Sequence, residues 1–429
     1  MKGNFQLIIL IVFIVAAIFG VLVFSGAIPL GGGGSGSLGT VVLWGTTPAV
    51  DLSKALEDFN RANPTMVIKY EQKSANTFDQ DLLEALASGT GPDMFFLSDE
   101  LVYNYANKII AIPYTSYPIA TFKSVFAGAG EVFLSDKGIL AFPMSIDPLV
   151  MYYNRSMFDA SGVVFPPATW NDLTDIAPLL TKKDETNKII KSAVALGRYS
   201  NIAHAKDILA ALFMQAGNPI IAEKDGVFSS ALVAAVGNYN ISSVLKFYTD
   251  FADPGNAVYS WNASFPNSDA VFSKEDLAIY FGFASELQAL VNKNPNEDFF
   301  VAGIPQIKGA NLKATISRVT GIAISAASKN INTAFLAASL LANSDFATNY
   351  AVATGEVPAR RDLLAIKPTN EYFSIFYNSA LYAKGWLDPA PKDTDGIFAG
   401  MVNAVISGNM SVGDAIRDAN SRMNLLLIK

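Results

Sequence analysis

Between residues 40 and 97, short apolar runs alternate with longer amphipathic stretches, and this alternation restricts the possible folds more than any other feature. The apolar runs, residues 40–44, 66–70 and 93–97, have the length of buried strands. The stretches between them repeat apolar residues at helical spacing: Leu52, Ala55, Leu56 and Phe59 in the first, and Phe78, Leu82, Ala85 and Leu86 in the second. This β-α-β-α-β order predicts a doubly wound parallel sheet of the α/β class.

In open α/β sheets, ligands bind at the carboxyl ends of the strands. Residues 44–47 follow the first predicted strand, and residues 98–100 follow the third. These two segments are therefore the first candidates for a ligand site. Asp99 and Glu100 do not read as a catalytic pair, because adjacent residues of an extended chain face opposite sides.

Composition excludes several classes of function. The 429 residues leave room for two or three domains or for one large bilobal body, and with 51% hydrophobic and 16% charged residues a substantial core is available. A net charge of −7 argues against nucleic acid as a partner. The absence of cysteine excludes disulfides, thiolate metal sites and a lipid-modified N-terminal cysteine. His204 is the single histidine, so a histidine metal cluster is impossible, and we expect neither a metal nor a cofactor.

The N-terminus predicts a membrane anchor. Residues 7–24 are apolar and uncharged, and a helix of that length spans about 27 Å, close to the thickness of the hydrocarbon core. Lys2 precedes the run, which favours a cytoplasmic N-terminus and an extracellular body. A cleaved signal peptide is the alternative, with Ser25-Gly26-Ala27 as its cleavage site. We interpret residues 1–28 as one transmembrane helix and residues 29–39 as a flexible Gly/Ser linker.

Local signals predict the elements between residues 137 and 173. Residues 139–142 read as a strand that Pro143 ends, and residues 149–153 read as a second strand. Thr169 is the predicted N-cap of the next helix, with Asp172 in capping-box spacing. Trp170 lies in that cap, so we expect its ring to pack rather than to bind a ligand.

This same stretch resembles a known family. Its order of strand, proline, polar loop, Tyr-Tyr-Asn, short helix, Pro-Pro and Thr-Trp is similar to that of the extracellular solute-binding proteins of ABC transporters. The closest group is the family that includes the maltose- and oligosaccharide-binding proteins. Further segments resemble it in the same order: VVLWGTTP, ALEDFNRANP, LASGTGPDMFFLSD, GIPQIKG and ATGEVPARRDL.

The resemblance covers nearly all of residues 40–429 and implies a bilobal fold. This is the type II fold of the periplasmic binding proteins, in which two doubly wound α/β lobes are joined by a hinge and enclose a ligand cleft. The first lobe would comprise approximately residues 40–144 and 297–349. The second would comprise approximately residues 145–296 and 350–429.

The candidate binding residues combine this resemblance with side-chain chemistry. Sugars are bound by aromatic faces, together with carboxylates, amides and arginines at their hydroxyl groups. Trp44, Trp261 and Trp386 are the aromatic candidates, although each can equally pack within a lobe. Trp261 lies in a polar, turn-rich segment with few packing signals around it. The remaining candidates are Thr46, Asp147, Tyr280, Phe283, Glu286 and Arg318.

Together these observations predict a monomeric, non-enzymatic solute-binding subunit of an ABC importer. By the resemblance, it captures a small polar solute outside the cell and delivers it to a permease that works with an ATPase. A sugar or oligosaccharide is the leading solute, while a polyol, a sugar phosphate, a polyamine and a peptide remain open. Two other functions also remain open. One is an extracellular glycan hydrolase with two carboxylates, and the other is a sensor that reports its ligand to a membrane receptor.

Overall fold

The computed structural model describes residues 38–224, 226–233, 240–310, 312–342 and 344–428. The predicted anchor, residues 1–28, and most of the predicted linker, residues 29–39, lie outside the described residues. Within the described ranges, no helix combines the length and the apolar character needed to cross a bilayer.

Strands and helices alternate along most of the chain. The strands are β1 Gly39–Gly45, β2 Met66–Gln72, β3 Met94–Ser98, β4 Leu134–Ser135, β5 Gly138–Ile139, β6 Ala141–Asn154, β7 Lys182–Lys183, β8 Ile189–Val194, β9 Ile221–Lys224, β10 Val227–Ser230, β11 Leu277–Phe283, β12 Phe299–Gly303, β13 Thr315–Ile324, β14 Val357–Pro358 and β15 Ala383–Lys384.

The α-helices are α1 Ala49–Ala62, α2 Phe78–Ser88, α3 Val102–Tyr105, α4 Ile119–Val125, α5 Arg155–Ala160, α6 Trp170–Leu180, α7 Ala205–Gln215, α8 Ile241–Asp250, α9 Ser268–Phe272, α10 Leu287–Lys293, α11 Ile331–Leu341, α12 Ser344–Thr354, α13 Arg361–Leu364, α14 Glu371–Leu381, α15 Pro391–Ile406 and α16 Val412–Leu427. Short 3₁₀ helices cover Asp99–Leu101, Ala106–Lys108, Gly128–Phe133 and Ala284–Glu286.

One long strand, β6, joins the two halves of a mixed sheet. The order across the sheet is β2-β1-β3-β13-β6-β11-β8-β7. β1 pairs in parallel with β2 and β3, whereas β13 runs antiparallel to β3 and to β6. Residues 141–148 of β6 pair with β13, and residues 149–154 pair with β11 and β12. The chain therefore passes from one half to the other inside a single strand.

Several local predictions are confirmed. α1 buries Leu52, Ala55, Leu56 and Phe59, the four residues whose spacing predicted its inner face. The capping box before α6 is present, because the Asp172 N–H donates to the Thr169 hydroxyl and the Thr169 N–H donates to the Asp172 carboxylate. Trp170 is buried, and its indole N–H donates to Gln215 at 2.6 Å.

The prediction that Pro143 ends a strand is wrong, since β6 continues through Pro143 and Pro148. Pro143 lies opposite Gly321, where the register between β6 and β13 shifts. Such an irregularity tolerates proline because the ladder of hydrogen bonds is interrupted there. A Cβ on Gly321 would lie 2.9 Å from both Ala141 and Phe133, so this close strand crossing requires glycine.

The positions at which β12 and β14 pair with β6 indicate where the chain crosses between the lobes. β12 pairs with residues 150–154, in the C-terminal half of β6. β14 pairs with Ser145 and Ile146, in its N-terminal half. We therefore propose that the chain returns to the first lobe between β12 and β13, later than residue 296. We propose likewise that its last crossing follows β14, later than residue 350.

Candidate functional site

A cavity of about 520 Å³ lies at the carboxyl ends of β1 and β3, against β13 and α12. Small-molecule sites in proteins commonly enclose about 300–1,000 Å³, so this cavity has the size of a ligand site. Most of the polar residues that line it carry hydroxyl groups. The lining residues are Thr46, Thr47, Pro48, Asp51, Phe78, Phe96, Ser98, Leu101, Thr320, Tyr350, Ala353, Thr354 and Glu356.

The loop after β1 forms one wall of this cavity, and two residues fix it. A Cβ on Gly45 would lie 2.5 Å from the ring of Phe96, so the chain can turn this closely only at a glycine. The Tyr70 hydroxyl donates to the Thr47 carbonyl at 2.6 Å. The loop is thereby held in the position that presents Thr46 to the cavity.

Beside the cavity, the hinge strands bring Asp147 and Arg318 together, since the two residues are paired across β6 and β13. Asp147 is 3% exposed and accepts hydrogen bonds from the N–H of Ser285 at 2.9 Å and from its hydroxyl at 2.6 Å. Burial raises the pKa of Asp147, although Ser285 and Arg318 act in the opposite direction. The Arg318 guanidinium lies 4.0 Å from the centre of the Phe283 ring, a cation–π contact, and 4.0 Å from Asp207 Oδ2.

Glu286 is held by internal hydrogen bonds at the start of the helical segment after β11. It accepts from the Tyr280 hydroxyl at 2.6 Å and from the Phe283 N–H at 2.8 Å, and His204 Nε2 lies 2.6 Å from its Oε1. Burial raises the pKa of Glu286, but its bonds with His204 and Tyr280 outweigh burial and hold the pKa below its ordinary value. Tyr280 and Phe283 are fully buried, so their rings support Glu286 and Arg318 from behind.

Two carboxylates from the first half of the sheet, Asp99 and Glu356, lie beside the hinge strands β6 and β13. The Asp99 carboxylate accepts from the Val319 N–H at 3.1 Å, and burial raises the pKa of Asp99 to about 8. The Ser145 hydroxyl donates to Glu356, and burial together with the neighbouring Asp147 raises the pKa of Glu356. Despite this density of acids, no group of three or more such side chains in the described part of the chain is placed to hold a metal ion.

On the other side of the hinge, Lys206 forms a buried ion pair with Asp388 at 2.9 Å. Burial lowers the pKa of Lys206, but Asp388 outweighs burial and keeps the pKa above its ordinary value. Burial also raises the pKa of the nearby Glu100. The half-buried Trp386 ring lies 5.9 Å from Lys206 Nζ and lines a second cavity of about 310 Å³, between residues 128–132 and β9.

The environment predicted for Trp261 is wrong. Its ring is fully buried, stacks on Phe265 with ring centres 4.4 Å apart, and donates its N–H to Asn201 at 3.1 Å. The polar sequence around Trp261 does not reveal this packing, because its hydrogen-bond partner Asn201 lies 60 residues earlier in the chain. Trp261 does not line either cavity.

Trp44 is also occupied by protein contacts. Its indole N–H donates to Glu71 at 3.0 Å, and Lys73 Nζ lies 3.6 Å from the ring centre. Only 9% of Trp44 is exposed, so little of this ring is free to stack on a ligand.

The structure thus brings Asp147, Glu286 and Arg318 into one cluster and places Thr46 in the adjacent cavity wall. Sequence reasoning missed Tyr350, Thr354 and Glu356, which complete that wall. A signal for Glu356 was present in the segment ATGEVPARRDL, where a lone acid stands between a glycine and a buried strand.

The family model described as Bacterial extracellular solute-binding protein matches residues 46–348. The chain belongs to this family. The match confirms the resemblance to the maltose- and oligosaccharide-binding members, and the fold is the mixed α/β bilobal fold of solute-binding proteins.

Solved structures share this fold at low sequence identity. A cyclo/maltodextrin-binding protein complexed with maltotetraose gives a TM-score of 0.74 at 15% identity, over 92% of this chain and 98% of that one. The cyclic alpha-maltosyl-1,6-maltose binding protein from Arthrobacter globiformis gives 0.76 at 18%, over 90% and 98%. The sugar-binding protein MalE from Xanthomonas citri gives 0.73 at 16%, over 90% and 97%.

Among curated relatives, a Brucella abortus (strain 2308) protein with only a provisional name as a binding protein is 28% identical over 119 residues. That alignment covers 27% of this solute-binding protein and 28% of the relative.

Proposed function

We propose that this protein is the membrane-tethered, extracellular subunit of an ABC importer, and that it captures a small polar solute and delivers it to the permease. The single observation that carries the proposal is the hydroxyl-lined cavity beside the hinge strand β6. Its position at strand carboxyl ends is the usual place for a ligand in an open α/β sheet. The sugars bound by the solved structures of similar fold make a carbohydrate the leading class of solute.

Capture works through closure of the two lobes. The cavity wall comes from the first half of the sheet, whereas Glu286 and Asp207 belong to the second half. A solute that contacts both sides only in the closed state shifts the open–closed equilibrium by its difference in affinity for the two states. No covalent step is needed, and the solute leaves unchanged.

The contacts that we propose are divided between the two lobes. Thr46 binds solute hydroxyl groups from the first lobe, and Asp147, Glu286 and Arg318 supply polar groups at the hinge. Trp386 remains a proposed aromatic contact, because its side chain is only half-buried and the charged Lys206 Nζ lies 5.9 Å from its ring. Tyr280 and Phe283 position Glu286 and Arg318, and Trp44 and Trp261 act as packing residues.

The predicted transmembrane helix over residues 1–28 is proposed to tether the body outside the cell through the linker of residues 29–39. We further propose that the protein acts as a monomer. Such a tether replaces the lipid anchor that a chain without cysteine cannot carry.

A thermal-shift screen over neutral oligosaccharides, amino sugars, polyols, sugar phosphates, polyamines and peptides tests the proposal. A solute at 100 times its Kd should stabilise the protein by about 2.7 kcal/mol by mass action. Thr46→Val should weaken binding of the hit about two- to tenfold, the effect of one lost hydrogen bond. Thr65→Val, at the opposite end of the sheet, is the matched control. Recovery of cleaved solute after incubation would contradict a binding function.

A further inference from the structure

The cavity is acidic as well as rich in hydroxyl groups. Asp51 and Glu356 are its charged lining residues, and no lysine, arginine or histidine is among the residues that line it. A neutral sugar needs hydrogen-bond donors and acceptors but no excess of either charge. The excess of acidic over basic lining residues therefore favours a solute that carries positive charge.

The basic side chains next to the cavity are engaged with other acids. Arg318 lies 4.0 Å from Asp207, Lys206 lies 2.9 Å from Asp388, and His204 lies 2.6 Å from Glu286. Each base of the hinge thus already has a carboxylate partner.

Four carboxylates remain without such a partner: Asp99, Glu100, Asp147 and Glu356. In the described part of the chain, no basic side chain comes within ion-pair distance of them. Three of them accept hydrogen bonds from neutral donors: Asp99 from the Val319 N–H, Asp147 from Ser285 and Glu356 from the Ser145 hydroxyl. Arg318 acts on Asp99, Asp147 and Glu356 only from longer range. Because like charges this close in a desolvated site repel each other, such carboxylates hold protons when no cation is near and become charged when a cation joins them.

Glu356 is the member of these four carboxylates that reaches the ligand site. It lines the cavity, and it also lies beside Asp147. An ammonium group of a bound solute can reach Glu356 from the cavity, and the hydroxyl groups of Thr46, Thr320 and Thr354 can bind the remainder of the molecule. The ligand site itself rests on the cavity and on the family. The carboxylates determine only the charge of its occupant.

We propose that the solute of this protein is a positively charged, hydroxylated amine, with an amino sugar that bears a free amino group as the best fit. The inference rests on the proposed solute-binding function and specifies the substrate class of the same site. A neutral maltodextrin would bring no cation to the four carboxylates that lack a basic partner.

Three trisaccharides with the same β-1,4 linkage test the proposal, because they differ only at carbon 2. These are the glucosamine trimer, its fully N-acetylated form and cellotriose, which carry an ammonium, an amide and a hydroxyl group there. Titration calorimetry with the complete protein should show the glucosamine trimer binding at least about tenfold more tightly than either neutral trimer, as expected for a charge-assisted hydrogen bond. The preference should decrease at high salt.

Two variants test whether Glu356 is the carboxylate that binds the ammonium group. Glu356→Gln should lose about tenfold in affinity for the glucosamine trimer and so remove its preference over the neutral trimers. Glu185→Gln removes one charge from an exposed turn far from the cavity and should change neither affinity. Because Gln matches Glu in shape, and because the ligand series uses the unaltered protein, a poorly folded variant would not remove the test.

Proton release on binding is an independent test of whether carboxylates of the protein pair with the bound amine. At a pH at which the amine is fully protonated, binding of the glucosamine trimer should release protons from the protein, measured as a dependence of the calorimetric enthalpy on the ionisation enthalpy of the buffer. Equal or tighter binding of a neutral trimer would overturn the cationic class and leave the solute-binding function intact. Failure of all three trimers to bind would also overturn the inference, and the wider thermal-shift panel would then decide the function separately.

Discussion

Trp261 and Trp386 differ in what their rings touch, so truncation should affect them differently. Trp261→Ala should lower the free energy of unfolding by about 3–5 kcal/mol, because it empties a fully buried site stacked on Phe265. Trp386→Ala should cost less stability but about 2 kcal/mol of binding, roughly thirtyfold in affinity, if its ring stacks on the solute as proposed. Denaturant unfolding without ligand and calorimetric affinity measure the two effects.

Trp170→Ala is the control for these variants, since Trp170 is buried and hydrogen-bonded to Gln215 away from both cavities. It should destabilise the protein and leave the affinity of the folded fraction unchanged. Early melting of Trp386→Ala with normal affinity would remove Trp386 from the binding site.

Asp99 makes the stability depend on pH. Its folded pKa of about 8 lies above the ordinary value of 3.8, so the native state holds the proton more tightly than the unfolded state. This contribution is fully present below pH 3.8 and is lost as the pH rises towards 8. Asp99→Asn mimics the protonated form, so its stability relative to the wild-type protein should increase by about 1 kcal/mol or more between pH 5 and pH 8.

Urea unfolding at the two pH values measures this difference. Asp159→Asn, at an exposed position, should show the same relative stability at both. A constant difference between Asp99→Asn and the wild-type protein would show that Asp99 ionises normally.

At the scale of elements, the capping box of α6 has a measurable effect on stability. Thr169→Ala removes the acceptor for the Asp172 N–H and should cost about 1 kcal/mol of unfolding free energy. Thr174→Ala, within the same helix, is the matched control and should be close to neutral, because alanine favours helix. Equal effects of the two substitutions in denaturant melts would show that the cap contributes nothing.

Elements governed by neighbours in sequence were predictable, whereas those governed by distant partners were not. The inner face of α1 and the cap of α6 depend on spacings of three or four residues, and both were predicted correctly. The continuity of β6 through Pro143 depends on Gly321, and the burial of Trp261 depends on Asn201. For the same reason the cavity was only partly predictable, since strand ends indicated Thr46 and Ser98 but nothing local indicated that Tyr350 and Glu356 would join them.

At the scale of the whole molecule, binding should make the protein more compact. If the solute draws both lobes together around β6, small-angle X-ray scattering should show a smaller radius of gyration at saturation than in the free protein. A related compound that calorimetry shows not to bind is the control. An unchanged radius at saturation would contradict closure while leaving binding itself established.

The placement of β13 has a consequence for how the chain is made. β13 lies between β3 and β6, and the bond from Val319 to Asp99 joins residues 220 positions apart. During synthesis and export, β3 therefore exposes an unpaired edge and apolar side chains until residue 324 has emerged. Long-range pairing of this kind is slow and exposes intermediates to aggregation. The first lobe can complete its sheet only after most of the second lobe has been synthesised, so the exposed edge of β3 must stay protected during that interval.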